Sequence, residues 1–213
     1  MKPLFVTGTG TDVGKTLVCI TLANALEADY WKPVQAGFSE GTDTQTVQTL
    51  RYHQSFTQHR EVYKLKLAAS PHIAAREENV RIDTSSIVQQ MPVVNGSLLI
   101  EGAGGLLVPL NEKEFVADLI VALNARTILV SRNYLGSINH SLLTAACCRQ
   151  RNLDVAGWIF VDDFGTYEQE IAEWSGFPVL ARIPRLAVVD RESLWQLSQQ
   201  IKPHLLSILG NHS

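Results

Sequence analysis

The chain has 213 residues, of which 46% are hydrophobic and 18% are charged, and its formal net charge is −3. This length fits a single domain over residues 1–213 with one sizeable core, and the composition excludes a disordered chain. A slightly acidic chain has no broad electrostatic reason to bind nucleic acid or an anionic membrane, so we expect neither as a partner.

The cysteines and the hydropathy pattern favour a reduced, cytoplasmic setting. Cys19, Cys147 and Cys148 form no C-x-x-C pair, so the spacing indicates neither a zinc site nor a disulfide framework. No stretch approaches the roughly 18 consecutive apolar residues that a membrane span needs. The first seven residues are also too short for the apolar part of a signal peptide.

Short apolar runs without polar alternation predict strands that are covered on both faces, as in a parallel sheet between helices. The predicted strands are residues 4–7, 97–100, 127–131, 155–161 and 178–183. The predicted helices are residues 15–27, 44–51, 84–90, 115–123, 139–151, 167–174 and 191–209. For residues 38–79 we predict loops and short helices laid over the edge of the sheet. The fold class is therefore α/β: a single domain with a doubly wound, mostly parallel sheet and helices on both faces.

The first predicted strand runs into a glycine-rich segment, Gly8-Thr9-Gly10-Thr11-Asp12-Val13-Gly14-Lys15-Thr16, that opens a helix. Glycines let backbone N–H groups turn inward around an anion, and the helix N-terminus adds partial positive charge. The usual motif is G-x-x-x-x-G-K-[ST], whereas here a threonine occupies the position of the first glycine, which lies one residue earlier. This strand, loop and helix still favour a phosphate loop over a simple glycine turn. The residues predicted to bind a nucleoside triphosphate are Gly8, Gly10, Asp12, Val13, Gly14, Lys15 and Thr16.

Within this loop, Lys15 is expected to meet the β- and γ-phosphates, and the hydroxyl of Thr16 is expected to bind Mg²⁺. A second Mg²⁺ ligand, or an acid that holds a water molecule, is typical at the end of a neighbouring strand. The predicted strand at residues 97–100 ends in such an acid, Glu101. The small residues that follow, Gly102-Ala103-Gly104-Gly105, let backbone and substrate come close to the phosphates. The alternative for Glu101 is a strand-end carboxylate exposed to water.

Two further residues have plain structural interpretations that the spacing alone does not exclude. Lys32 follows the apolar pair Tyr30-Trp31. Because lysines are mostly exposed in folded proteins, residue type alone favours a solvated side chain here. Asp43 lies in Gly41-Thr42-Asp43-Thr44, where helix capping and a functional role are about equally favoured, because Asp is a common N-cap residue.

Five segments in this order resemble one family, the dethiobiotin synthetases. They are residues 6–16, Lys32-Pro33-Val34-Gln35-Ala36-Gly37, Ser70-Pro71-His72-Ile73-Ala74-Ala75, Glu101-Gly102-Ala103-Gly104-Gly105 and Leu135-Gly136-Ser137-Ile138-Asn139-His140. The resemblance covers about the first two-thirds of the chain and is weaker after residue 160. It implies a fold of the P-loop NTPase type. It also implies that a diamine, 7,8-diaminopelargonic acid, captures CO₂ as a carbamate, which ATP phosphorylates before the second amine closes the ring, giving dethiobiotin, ADP and phosphate.

The resemblance also implies roles for individual residues. Lys15, Lys32 and Thr11 are expected to be catalytic, and Mg²⁺ is expected to bind through Thr16, Asp43 and Glu101. Nucleotide contacts extend to Glu101 and Gly104. The substrate-binding residues implied are Thr11, Lys32, Ala36, Gly104, Ser137, Ile138 and Asn139.

The last three of these residues open a helix whose N-terminus, in the family, faces the substrate's carboxylate across a dimer interface. The resemblance therefore implies a homodimer with its active site at the subunit interface. Without the resemblance, Ser137 would be interpreted as a helix cap.

Two positions depart from the family pattern. Ala36 stands where a Ser or Thr hydroxyl is usual, so one donor near the carbamate is missing. After Gly157-Trp158 the family places an Asn that contacts the nucleotide base, whereas here the strand continues through Val161. Nucleoside triphosphates other than ATP are therefore possible co-substrates.

Three rival functions are distinguished by features of the sequence. An amide-forming ligase of the cobyrinic acid type would need an amide-donor domain, which 213 residues do not provide. A nucleotide switch of the partitioning-ATPase kind carries a second lysine early in the phosphate loop, where this chain has Thr9, Gly10 and Thr11. A degenerate paralogue that binds nucleotide without turnover is kept open by Ala36 and Val161.

Overall fold

The computed structural model of the protein describes residues 2–52, 56–163, 165 and 167–210. Its strands in these ranges are β1 (Leu4–Gly8), β2 (Asp29–Trp31), β3 (Val34–Ala36), β4 (Gln58–His59), β5 (Tyr63–Leu65), β6 (Leu98–Gly105), β7 (Arg126–Arg132), β8 (Val155–Val161) and β9 (Val179–Ile183). Seven of them form one parallel sheet in the order β4-β2-β6-β1-β7-β8-β9, and β3 pairs with β5 separately. Because β1 lies in the centre of the sheet, the loop after it opens at the carboxyl ends of its neighbours β6 and β7.

Helices cover both faces of this sheet. They are α1 (Lys15–Leu26), α2 (Asp43–Leu50), α3 (Pro71–Glu77), α4 (Thr84–Gln89), α5 (Val116–Ala122), α6 (Ser137–Gln150), α7 (Glu168–Ser175) and α8 (Arg191–Leu209). One core packs α1, α2 and α8 against the sheet, and the other packs α3 to α7 against the opposite face. All five residues of β1 are buried, which explains its apolar sequence without alternation.

The predicted doubly wound parallel sheet with helices on both faces is confirmed. The extent of the domain over residues 1–213 stays a prediction. None of the helices in the described ranges is long and apolar enough to cross a membrane.

The sequence prediction missed four short strands, β2 to β5. Each has only two or three residues, which is too short for a hydrophobic period to stand out. The prediction of loops and short helices for residues 38–79 was therefore incomplete, because this region also supplies an edge strand and half of the small sheet. The helix predicted from residue 139 begins two residues earlier, after Gly136, which has a φ of 101°.

The predicted strand at residues 97–100 is longer than expected and continues to Gly105. Glu101 is thus an interior strand residue that pairs with Val6, and only 1% of its surface is exposed. The alternative interpretation of Glu101 as a strand-end carboxylate exposed to water was therefore wrong. The glycines allow this extension, since a Cβ on Gly105 would lie 3.0 Å from the Gly8 carbonyl oxygen.

Candidate active site

The loop between β1 and α1 is shaped to hold an anion. Gly14 precedes α1 in the left-handed region, with a φ of 92°, a conformation that disfavours a side chain. Within the described residues no side chain caps this helix, so its first N–H groups are available to a ligand. The Lys15 ammonium folds back over the loop and donates to the Gly10 carbonyl at 2.9 Å.

A cavity of about 740 Å³ opens beside this loop. It brings together residues from the phosphate loop, from β3, from α2 and from β6, which are far apart in the sequence. The residues predicted as site residues that line it are Thr11, Asp12, Gly14, Lys15, Thr16, Lys32, Ala36, Asp43, Glu101 and Gly104.

A buried cluster of charges forms one wall of this cavity. The Thr16 hydroxyl lies 3.1 Å from Asp43 Oδ1 and 2.9 Å from Glu101 Oε1. The Lys32 ammonium contacts Asp43 Oδ2 and lies 2.9 Å from Glu101 Oε1. The interpretation of Lys32 as a solvated lysine was wrong, because only 5% of the residue is exposed.

Asp43 is not the cap of α2. The cap is Thr42, whose hydroxyl accepts a hydrogen bond from the Gln45 N–H at 3.1 Å while the Gln45 side chain accepts from the Thr42 N–H. This capping box satisfies the helix terminus. The Asp43 carboxylate is therefore left to face the cavity.

The charges in this cluster shift each other's pKa values. Burial lowers the pKa of Lys15, although Glu101 opposes the shift. Burial alone would also lower the pKa of Lys32, but the charges of Glu101 and Asp43 outweigh it, and the pKa is raised. Burial would raise the pKa of Asp43, but Lys32 and the Thr16 hydroxyl hold it below its ordinary value. The shifts of Lys32 and Asp43 both favour the charged forms of these two groups.

The chemistry of the wall fits Mg²⁺. Thr16, Asp43 and Glu101 present only oxygen atoms, which this ion prefers, and the Thr16 hydroxyl lies within hydrogen-bond distance of both carboxylates. The described residues contain no group of three or more His, Cys, Asp and Glu side chains suited to a metal. A metal here would therefore take its remaining ligands from phosphates and water, as Mg²⁺ usually does.

Two contributors to the site were missed in the sequence. The Tyr30 hydroxyl donates to Glu101 Oε2 at 2.8 Å, and the Gln35 side chain accepts from the Asp43 N–H at 3.2 Å. Both residues stand in segments already noted, one before Lys32 and one after it. Tyr30 looked like an apolar strand residue, and nothing in the spacing indicated that its hydroxyl reaches a carboxylate on β6.

Known proteins resemble this chain along almost its full length. A family model described as an AAA domain matches residues 2–193. The ATP-dependent dethiobiotin synthetase BioD of Cytophaga hutchinsonii is 51% identical over 194 residues, which cover 90% of this chain and 93% of that protein. The BioD of Agrobacterium fabrum is 42% identical, with 92% of each chain covered. The chain belongs to the dethiobiotin synthetase family.

Solved structures with low sequence identity share the fold. A ParA family ATPase from Chlorobium tepidum superposes with a TM-score of 0.57 at 14% identity, covering 99% of this chain and 98% of that one. The septum site-determining protein MinD from Pyrococcus horikoshii, solved with Mg-ADP, gives a TM-score of 0.55 at 12% identity over 98% and 93% of the two chains. These likenesses support the P-loop NTPase fold.

Ser137, Ile138 and Asn139 do not line the cavity beside the phosphate loop. They form the first turn of α6, and the residue that precedes this helix is Gly136, so the interpretation of Ser137 as a cap was wrong. Among the residues that the structure describes, the buried Ser137 hydroxyl has no hydrogen-bond partner, whereas Asn139 is exposed. Nearby, Leu135 is 89% exposed. One chain alone therefore does not bring these three residues to the other predicted site residues.

A second cavity, of about 670 Å³, lies at the tip of the phosphate loop between the ends of β7 and β8. One ion pair lines it, in which the Arg132 guanidinium donates to Asp162 at 2.6 Å, and the Asp163 carboxylate accepts from the backbone N–H of Arg185 at 3.1 Å. Val161 packs on Gly14 near this cavity, since a Cβ on Gly14 would lie 3.2 Å from a Val161 methyl. An apolar side chain thus stands where the resemblance implies an Asn, and the effect on the choice of base stays a prediction.

Proposed function

We propose that the protein catalyses ATP-dependent dethiobiotin synthesis in the cytoplasm. Its substrates would be 7,8-diaminopelargonic acid, CO₂ and ATP, and its products dethiobiotin, ADP and phosphate. The observation that carries the proposal is the cavity beside the phosphate loop, where buried Lys15 and Lys32 meet the carboxylates of Asp43 and Glu101, in a chain that belongs to the dethiobiotin synthetase family. The three free thiols fit a reducing compartment.

The reaction brings a carbamate anion to the γ-phosphate, so positive charge is needed between them. Lys15 and Lys32 line the same cavity and supply two ammonium groups, and the burial that lowers the pKa of Lys15 also strengthens its attraction to an anion. Thr16, Asp43 and Glu101 would hold Mg²⁺ here, and the ion would supply further positive charge to the phosphates.

The carbamate would be oriented rather than activated by the protein. Thr11 offers a hydroxyl at the rim of the cavity, and the backbone around Gly104 faces the same space. Ala36 also lines it but supplies no hydroxyl, so the carbamate would be held by fewer direct donors than in the family pattern. Proton acceptors are available in the carbamate and phosphate oxygens, and no histidine is required as a base.

We infer further that the protein acts as a homodimer. The α6 N-terminus of a second copy would present Ser137, Ile138 and Asn139 to the substrate's carboxylate, since a helix N-terminus attracts anions. The buried, unpartnered Ser137 hydroxyl and the exposed side chains of Leu135 and Leu143 support an interface at this helix.

Subunit complementation tests the dimer. We expect Lys15→Ala and Asn139→Asp, each of low activity alone, to regain activity when they are co-expressed, because the mixed dimer has one intact composite site. A mixture no more active than its components would rule out a site shared between subunits.

The proposed reaction is tested by measuring phosphate release with diaminopelargonic acid, bicarbonate, Mg²⁺ and ATP, then with other triphosphates. We expect release to depend on the diamine and on bicarbonate, with one dethiobiotin formed for each phosphate. Diamine-independent release would instead favour a nucleotide switch, and nucleotide binding without release would favour a degenerate paralogue. Either result with every triphosphate would overturn the proposal.

A further inference from the structure

Tyr30 links the second strand of the sheet to the candidate metal site. Its side chain is fully buried on the face that α1 covers, and on the neighbouring strand Leu99 is its register partner. Glu101 lies two residues further along that strand and therefore points to the same face. This register explains how the phenol hydroxyl reaches Glu101 Oε2 at 2.8 Å.

The two oxygens of the Glu101 carboxylate have different partners. Oε1 accepts hydrogen bonds from Thr16 and from Lys32, both of which line the cavity. Oε2 accepts from Tyr30, which does not line the cavity. The tyrosine thus occupies the oxygen that faces the core and leaves the other oxygen at the cavity.

We propose that Tyr30 is a positioning residue that restricts Glu101 to a single oxygen for the metal and so makes the site select Mg²⁺ over Ca²⁺. This inference rests on the proposed function of Glu101 as a magnesium ligand. Mg²⁺ requires near-octahedral geometry, which one carboxylate oxygen satisfies, whereas Ca²⁺ takes six to eight ligands and often binds both oxygens of a carboxylate. A carboxylate held at one oxygen therefore suits the smaller ion.

A purely structural role for Tyr30 gives a different expectation. The ring packs in the core, so its loss would lower the free energy of unfolding, but it would weaken the binding of both ions alike. The ratio of the two affinities distinguishes a positioning residue from a packing residue.

The experiment compares the wild type with Tyr30→Phe, which keeps the ring and removes the hydroxyl. Tyr63→Phe is the matched control, since its hydroxyl accepts from the Asp83 N–H at 3.0 Å, in contact with neither Asp43 nor Glu101. Electron paramagnetic resonance measures the concentration of free Mn²⁺ in the presence of ADP, with and without the protein. The difference between the two titrations gives the Mn²⁺ bound at the protein site beyond that bound by ADP alone. Competition with Mg²⁺ and with Ca²⁺ then gives the two affinities. If Tyr30→Phe lacks a cooperative unfolding transition, Tyr30→Met is measured in its place, because methionine also fills an apolar site without a hydroxyl.

We expect Tyr30→Phe to weaken Mg²⁺ binding about tenfold, the effect of one hydrogen bond to a charged group, while Ca²⁺ binding changes less than about twofold. The control should keep the wild-type ratio. A wild-type ratio in Tyr30→Phe would overturn the role of Tyr30 while leaving the magnesium site in place. A wild type that binds no metal beyond that of ADP would overturn both, although phosphate release could still support the proposed reaction.

Discussion

The ion pairs in the two cavities beside the phosphate loop differ in how far they are exposed to solvent. In the larger one, the side chains of Lys32 and Glu101 are 6% and 1% exposed and lie 2.9 Å apart. In the smaller one, Arg132 and Asp162 lie 2.6 Å apart, but the arginine side chain is 51% exposed. A buried charge that loses its partner keeps the cost of desolvation, whereas an exposed charge is hydrated again. Substitutions that remove one member of the ion pair should therefore be costly in the larger cavity and much better tolerated in the smaller one.

The sequence of the chain follows the family pattern at the larger cavity and departs from it next to the smaller one. Lys32 and Glu101 stand in segments that resemble the family closely, while Val161 replaces an expected Asn next to the smaller cavity. Phosphate chemistry demands a fixed arrangement of charges, but recognition of a nucleotide base can be achieved by different side chains. We expect the two cavities to differ in the same way under mutation.

The largest effect is expected for Lys15→Ala. The change removes the ammonium that faces the phosphates, so turnover should fall about a thousandfold or more. The fold should persist, because burial already disfavours the charged form of Lys15 and lowers its pKa. Phosphate release gives the rate, and urea unfolding gives the stability. Lys113→Ala, at an exposed position, is the control, and a rate for Lys15→Ala within tenfold of this control would contradict the prediction.

Lys32→Ala should also abolish turnover, and in addition it should destabilise the protein. Asp43 and Glu101 would be left facing each other without the ammonium between them, which costs about 3 kcal/mol in the free energy of unfolding. The protein should still fold, and Mg²⁺ with ADP should restore part of the stability by supplying a cation. Near-normal rates would remove Lys32 from the catalytic residues, and wild-type stability would show that the pair is not coupled as the distances indicate.

The sequence was sufficient for the architecture because its main signals are local. The apolar runs of β1, β7 and β8 predicted a sheet buried on both faces, and the glycines after β1 predicted the phosphate loop at its edge. Four short strands, β2 to β5, were not predicted, since their two or three residues carry no usable period. These strands are defined only by their pairing with neighbouring strands, which the sequence alone does not show.

The site was predictable only where a motif fixed a residue's role. The loop motif itself predicts the roles of Lys15 and Thr16. No local pattern distinguishes Lys32 and Asp43 from ordinary polar residues, and only the resemblance to the family indicates their roles. The contact of Tyr30 with Glu101 depends on the register between β2 and β6, which no local pattern determines. Likewise, Ser137, Ile138 and Asn139 do not line the cavity beside the phosphate loop, so the substrate contact that the resemblance implies for them would need a second copy of the chain.

Val161→Asn tests whether the residue next to the smaller cavity sets the preference for the nucleotide base. An amide at this position can donate to and accept from the edge of adenine, so we expect kcat/KM for ATP relative to other triphosphates to rise about 2–10-fold, the value of one net hydrogen bond. Val161→Ala is the control, because it opens the same space on Gly14 without adding an amide. If both variants change the ratio equally, or if neither does, Val161 is not what sets the choice of base.

The smallest effect is expected for Arg132→Ala in the smaller cavity. An exposed ion pair is typically worth less than about 1 kcal/mol, so the free energy of unfolding and the turnover rate should both stay close to wild type. Any small difference should shrink as salt is raised, because salt screens exposed charges more than buried ones. Measuring Arg132→Ala and Lys32→Ala side by side in low and high salt therefore compares the two cavities directly. A loss in Arg132→Ala as large and as salt-insensitive as that in Lys32→Ala would mean that both cavities take part in the chemistry.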